Sequence, residues 1–323
     1  MERIMKTGKW IAITIAILLA IAIVVLYQPD LSREEVDTKY RNHASKFLVL
    51  NNGNRIHYRD QGSPDGKTIM LLHGFTSSLH TWEPWVDLLK DTFRIVTLDL
   101  PGHGLTGAVE NQDYSTTSFS ETILGVADAL SIDSFVLGGN SMGGGATWQF
   151  ALAYPERITH MILINATGPW PRQDDRKTKN QNSPFAALEW QWFRRLARHI
   201  NPRYLVERGL LKAYNNAPVV DRKLVDRYLE MILREGTRDA ILKQSAKRRT
   251  HVGSTPPSLD LLTQPTLVMW GAMDSLIPVS VGERFVGELP NAKLVVYPHL
   301  GHVPMEEDAS KSVKDIIRFL SLT

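Results

Sequence analysis

The sequence predicts an α/β fold: a mostly parallel, eight-stranded sheet with helices on both faces. Three observations carry that expectation. Short apolar runs alternate with longer amphipathic ones through most of the 323 residues. Several runs, such as 68–72 (TIMLL), are apolar without interruption, as in a strand covered on both faces. Between 168 and 260 the strand signal stops and only helical patterns remain.

Taken in order, the chain opens on its compositional outlier. Residues 10–27 (WIAITIAILLAIAIVVLY) hold 18 positions without a charge. As a helix they would span about 27 Å, close to a bilayer core. Arg3, Lys6 and Lys9 precede the run, while Asp30, Glu34 and Glu35 follow it. Positive charge stays cytoplasmic, so residues 1–9 are expected inside and the bulk of the protein outside, in the periplasm of a bacterium. A cleaved signal peptide is the alternative. Its basic start fits, but the run ends in Val-Val-Leu-Tyr-Gln-Pro without an Ala-x-Ala site. The expectation is an uncleaved transmembrane signal anchor, followed by a polar tether over 28–45.

The core is expected over 46–167 and 261–323. A hairpin comes first: 47–50, the turn Asn51-Asn52-Gly53-Asn54, then an alternating run over 55–59. Further strand-like runs lie at 68–72, 94–98, 134–137, 160–164, 266–270 and 293–297. Helix-like runs lie at about 80–90, 116–130, 142–154, 279–288 and 309–321. Ligands on such sheets sit at the carboxyl ends of the strands.

The interruption at 168–260 reads as a helical cap over that edge, with helical patterns at 184–199 and 221–235. It carries about +9 net charge, against about −6 for the rest of the chain. A basic cap on a tethered protein suits anionic lipid headgroups, although a solvated helical surface gives the same count. Nucleic acid is not an expected partner, because the chain outside the cap is acidic and holds no recognised binding motif. There is no cysteine, which excludes disulfides, thiolate catalysis, Cys-ligated zinc and iron–sulfur clusters.

The chemistry centres on Gly139-Asn140-Ser141-Met142-Gly143, between a short apolar strand and a helical pattern. That is the setting of a nucleophile elbow, where a sharp turn raises the serine hydroxyl above the sheet. Side chains at 139 or 143 would collide with neighbouring backbone, hence glycine. A Gly-rich packing turn has the same pattern. A serine hydroxyl is a weak nucleophile and needs a base. His302, in Leu300-Gly301-His302-Val303-Pro304, follows the last strand; His299 is its rival, nearer the strand end. The base needs an acid to fix its tautomer. Asp274 follows strand 266–270, and the other position available to an acid, after strand 160–164, holds Asn165. Oxyanion donors are expected from the N–H groups of Met142 and Phe75, the latter in the loop His73-Gly74-Phe75. His73 is expected to brace that loop, and His73 and Gly74 are both candidates to contact the substrate. The loop 99–104 (DLPGHG) should shape the pocket wall, with no catalytic role for His103.

Together, the HGF loop, the DLPGHG loop, the GNSMGG elbow, the WGAMD acid loop and the GH base loop resemble the α/β-hydrolase family over about 46–321. The order Ser141, Asp274, His302 is that family's order. The resemblance implies acyl transfer through Ser141, with no metal or organic cofactor. Serine at 141 argues against the dehalogenases and epoxide hydrolases of this fold, which use aspartate. The elbow is similar to that of C–C bond hydrolases acting on aromatic ring-cleavage products, but Phe75 and Val303 stand where those enzymes usually differ. The HGF loop and the anchor resemble membrane-anchored monoacylglycerol lipases and bacterial lipases. Ester hydrolysis on a lipid-like substrate is therefore expected, with C–C hydrolysis the alternative and a non-catalytic binding module a third reading. In the cap, Phe185, Leu188, Trp192, Phe193 and Leu196 form a stripe at helical spacing. Phe185 and Trp192 are the candidates to line an acyl pocket, although such a stripe is also an ordinary packing face.

Overall fold

The computed structural model describes residues 10, 13, 14, 26–170, 191–250 and 257–322. Its centre is an eight-stranded sheet. The strands are β1 (Ser45–Val49), β2 (Arg55–Gly62), β3 (Thr68–Leu72), β4 (Arg94–Leu98), β5 (Phe135–Asn140), β6 (Ile158–Ile164), β7 (Thr266–Gly271) and β8 (Ala292–Tyr297). They run in the spatial order β1-β2-β4-β3-β5-β6-β7-β8. The hairpin makes β1 and β2 antiparallel, and β2 joins β4 antiparallel; every other pairing is parallel. The parallel strands therefore share one carboxyl edge, and the loops carrying His73, Ser141, Asn165, Asp274 and His302 all leave from it.

The continuous apolar strands are buried on both faces, as their composition requires. On one face α3 (Thr116–Ala129), α4 (Met142–Ala153) and α9 (Val279–Glu288) pack through Phe119, Ile123, Ala146, Phe150 and Phe285. On the other, α2 (Glu83–Leu89) and α11 (Ala309–Leu322) pack through Trp85, Val86, Val313, Ile316 and Phe319. A short helix, α10 (Pro304–Glu307), separates His302 from α11.

In the cap region the described helices are α5 (Gln191–Ala197), α6 (Arg203–Ala213), α7 (Arg222–Leu233) and α8 (Thr237–Thr250). Asp221 caps α7 by accepting from the Leu224 N–H at 2.8 Å. That helix buries Leu224, Val225, Tyr228, Leu229, Met231 and Leu233, the apolar side of the pattern at 221–235. Of the pattern at 184–199, residues 184–190 lie outside the described residues.

One expectation changes at the N-terminal side. Residues 28–45 are docked rather than a free tether. Ser32 caps α1 (Arg33–Tyr40), and Val36 packs into a buried cluster with Leu105 and Met231. The charges that read as solvated serve buried partners instead: Arg234 donates to Asp37 at 2.7 Å and Arg238 to Asp30 at 2.7 Å. Both arginines belong to the cap and are buried. The expected anchor at 10–27 falls largely outside the described residues. Among those described, no helix is long and apolar enough to cross a membrane.

Candidate active site

Ser141 joins β5 to α4 at φ 54° and ψ −113°, a backbone region that a side chain disfavours. Close packing explains the flanking glycines. A Cβ on Gly139 would lie 2.3 Å from the Gly143 carbonyl carbon, and one on Gly143 would lie 2.2 Å from the Leu72 carbonyl oxygen. The elbow thus sits directly on the end of β3. No side chain caps α4, so its first N–H groups, Met142 among them, are available to developing negative charge.

The HGF loop runs alongside. A Cβ on Gly74 would stand 3.3 Å from Ser141 Cβ, which sets Gly74 and Phe75 beside the nucleophile. His73 holds the loop. Its Nδ1 donates to the Gly74 carbonyl at 2.7 Å and its Nε2 accepts from the Leu100 N–H at 3.0 Å. These bonds fix one neutral tautomer, and burial lowers the ring's pKa. His73 is fully buried with both nitrogens engaged, so it is a brace and not a substrate contact. The Phe75 ring meets His103 edge-on at 5.5 Å, and His103 is itself buried.

His302 and Asp274 come together from separate loops. His302 Nδ1 lies 2.7 Å from Asp274 Oδ2. Asn165 Nδ2 donates to the same oxygen at 2.7 Å, while the N–H groups of Leu276 and Ile277 donate to Oδ1 at 2.7 and 3.0 Å. Burial alone would raise the Asp274 carboxyl. The hydrogen bond and charge of His302, with the Ile277 and Asn165 donors, outweigh it and lower the pKa. An ionised Asp274 requires the proton on His302 Nδ1, which leaves Nε2 with the free lone pair that a base needs. Gly271 permits the crossing of the two loops: a Cβ there would meet the Gly301 carbonyl at 1.9 Å.

The backbone of His302 is tied to the elbow through Asn140, whose Nδ2 donates to the His302 carbonyl at 2.9 Å and to the Ile164 carbonyl at 3.2 Å. Among the described residues, no hydrogen bond joins the Ser141 hydroxyl to the His302 ring. Catalytic contacts are often long without substrate and tighten in the complex.

Several contributors were not singled out by sequence reasoning. Asn165, at φ 44°, steadies the acid from the position after β6; an asparagine at a strand end, where an acid was conceivable, was the available signal. Glu307 accepts from the N–H groups of Gly301 and Val303 at 2.7 and 3.1 Å and holds the base loop. Burial raises its carboxyl pKa. The cap supports the loops of His302 and Asp274 through its backbone: the His302 N–H donates to the Ala213 carbonyl at 2.7 Å, and Ser275 Oγ to the Lys212 carbonyl at 3.2 Å. Both are carbonyls at the C-terminal end of α6, which the helix leaves without partners. A buried polar cluster beside them joins Ser77, Tyr228, Glu306 and Arg227 across the HGF loop, the cap and α10.

The cap residues expected in an acyl pocket fare differently. Phe185 lies outside the described residues. Trp192, on α5, is 61% exposed, so it is not buried in a pocket.

These features define a hydrolase class, and comparison with known proteins agrees. The chain belongs to the alpha/beta hydrolase fold family, which it matches over residues 67–309. A 2-hydroxy-6-oxononadienedioate/2-hydroxy-6-oxononatrienedioate hydrolase of Cupriavidus pinatubonensis is 27% identical over 85% of this chain and 95% of its own length. Among solved structures, the meta-cleavage product hydrolase CumD of Pseudomonas fluorescens superposes with a TM-score of 0.71 at 23% identity, over 85% of this chain and 97% of its own. A membrane phospholipase A described as a bacterial virulence factor superposes with a TM-score of 0.70 at 22% identity, over 99% of this chain and 98% of its own. At such identities the superpositions show the fold.

Proposed function

We propose that the chain is a serine hydrolase in which Ser141 attacks a carbonyl carbon, His302 is the base and Asp274 orients it. The 2.7 Å contact between His302 Nδ1 and Asp274 Oδ2, on loops that meet beside a strained serine, carries the proposal. His302 Nε2 takes the Ser141 proton as the hydroxyl oxygen bonds to the carbonyl carbon. The N–H groups of Met142 and Phe75 hold the oxyanion. His302 returns the proton to the leaving group, and water activated by the same ring releases the acid.

Two substrate classes suit this sequence of steps. C–C hydrolysis of a ring-cleavage product has the better support, because several relatives are named 2-hydroxy-6-oxononadienedioate/2-hydroxy-6-oxononatrienedioate hydrolases; the leaving group is then a stabilised carbon that takes up the proton as it departs. Ester hydrolysis of a monoacylglycerol-like lipid is the second reading. It is favoured by Phe75 in the oxyanion loop, by Val303 after the histidine and by the fold likeness to a membrane phospholipase A over 99% of the chain. The test is a chain-length series of p-nitrophenyl and monoacylglycerol esters assayed beside a ring-cleavage dienoic acid. A kcat/KM at least tenfold higher on the dienoic acid supports C–C hydrolysis; the reverse installs the ester reading. Equal rates for the wild type and Ser141→Ala on all of them refute the hydrolase.

We further propose that residues 10–27 span a bilayer, with residues 1–9 cytoplasmic and the hydrolase outside. The uncharged run and its basic start support this. Retention of the full chain in carbonate-washed membranes is expected, and complete release contradicts it.

A further inference from the structure

The cap carries a face left exposed among the described residues, at the point where the apolar N-terminal run ends. Tyr27 forms an antiparallel bridge with Ile200. The Gln28 N–H donates to the His199 carbonyl at 2.8 Å, and the Asn201 N–H to the Leu26 carbonyl at 2.7 Å. The rings of Tyr27 and His199 stack at 5.8 Å. The end of the run is therefore fastened by backbone to the connection that leads into α6.

From there α6 turns one side outward. Tyr204, Leu205, Arg208 and Lys212 are exposed, at the spacing of one helix face, while Leu210 on the other side is buried. A Cβ added to Gly209, at the edge of this face, would meet nothing within 4 Å. Tyr204 is 67% and Leu205 63% exposed. Between 191 and 213 the chain holds six lysines and arginines against Glu207 alone. An aromatic ring and a leucine beside long basic side chains make a surface suited to the bilayer interface. The rings sit at headgroup level, and the basic heads reach lipid phosphates while their stems lie on the apolar layer.

We propose that this face, formed by Tyr27, Ile200, Tyr204, Leu205, Arg208 and Lys212, lies on the leaflet from which the anchor emerges and binds anionic phospholipid headgroups. The proposal rests on the reading of residues 10–27 as an anchor. It adds an orientation: the cap rests on the membrane, and the hydrolase does not swing freely on a stalk. Its bearing on the site is direct. The helix that rests on lipid is the one whose Ala213 carbonyl receives the His302 N–H, so one element joins the bilayer surface to the base loop.

The absence of cysteine makes the test specific. Leu205→Cys and Tyr204→Cys, each carrying an environment-sensitive fluorophore, are reconstituted as full chains into vesicles of phosphatidylglycerol and phosphatidylcholine with nitroxide-labelled headgroups. Leu261→Cys, 70% exposed and on the amino side of the sheet before β7, is the control. Quenching at 204 and 205 is expected to exceed that at 261 by at least threefold, and to fall by half or more in an Arg208→Glu, Lys212→Glu background. Equal quenching at all three sites overturns the proposal. So does a protection of 204 and 205 that rises with protein concentration in detergent alone, because a second copy of the chain is then the occupant. Carbonate washing separates the two readings. Retention without quenching removes the docking face and keeps the anchor; quenching followed by release in carbonate keeps the docking face and removes the anchor.

Discussion

Two aspartate–histidine pairs in this molecule are alike to within the length of a hydrogen bond. Asp274 meets His302 Nδ1 at 2.7 Å, and Asp99, after β4, meets His57 Nδ1 at 2.7 Å. Each aspartate also accepts backbone N–H groups, Asp99 those of Leu79 and Leu105. The difference lies around the imidazole. His57 is wholly buried on β2 against Phe47, and its Nε2 is enclosed without a partner among the described residues. His302 stands in a loop, keeps 6% exposure and is tied through Asn140 to the strained serine. An aspartate–histidine bond by itself is therefore a structural device; a nucleophile and an accessible Nε2 convert it into a site.

The largest effect that sharpens this contrast is on turnover. Ser141→Ala and His302→Ala should each lower kcat by about 10⁴ or more, with thermal midpoints close to wild type. Asp274→Asn should cost about as much, because a neutral amide favours the wrong tautomer. Steady-state kinetics beside a thermal melt checks all three variants.

Asp99→Ala should act on the other side of the comparison. Leaving His57 buried without its partner should cost about 3–5 kcal/mol of stability by denaturant titration, while kcat per folded molecule changes only a few-fold. A loss of turnover with stability intact would mean that the second pair serves the chemistry.

Asn165→Ala removes one of the charge-assisted bonds to Asp274 and should lower kcat/KM by roughly tenfold or somewhat more. Asn165→Asp, which sets a like charge against Asp274, should lower it further.

The smallest effect is the pH dependence of folding. Burial lowers the pKa of His73, and burial with the Arg59 charge lowers that of His80 to about 4. Below about 6.5 the unfolded chain binds protons that these native rings refuse, for His80 down to about 4, so stability falls as pH falls. Below about 4 the same sign continues. Burial would raise the Asp99 carboxyl, but the hydrogen bond and charge of His57 hold it well below the usual range, so its contribution is also lost on acidification. Thermal midpoints from pH 7.5 to 3.5 should decline throughout, and a maximum near pH 5 would contradict this assignment.

The sheet was legible in the sequence because its strands are apolar runs ended by turn residues. The run at 68–72 coincides with β3, and that at 94–98 with β4. The placement of Ser141, Asp274 and His302 at one sheet edge was legible because each follows such a run, and the structure brings Asp274 and His302 within 2.7 Å. What escaped acts through groups that leave little trace in sequence. The carbonyl of Ala213 on His302 is a backbone contact that any residue could make. Residues 28–45 read as a tether because polarity does not reveal a buried partner: Asp30 and Asp37 look solvated until Arg238 and Arg234 are placed opposite them. Stripe spacing did not set the environment of Trp192, because period alone does not say which side of a helix meets protein.

The central claim is that Ser141 is activated by His302. Fluorophosphonate labelling of the full chain, with the modified peptide located by mass spectrometry, tests it most directly. Stoichiometric labelling at Ser141, abolished in Ser141→Ala and slowed by about 10³ or more in His302→Ala, is the predicted result. A wild-type chain that stays unlabelled, or a His302→Ala variant that labels at the wild-type rate, contradicts it.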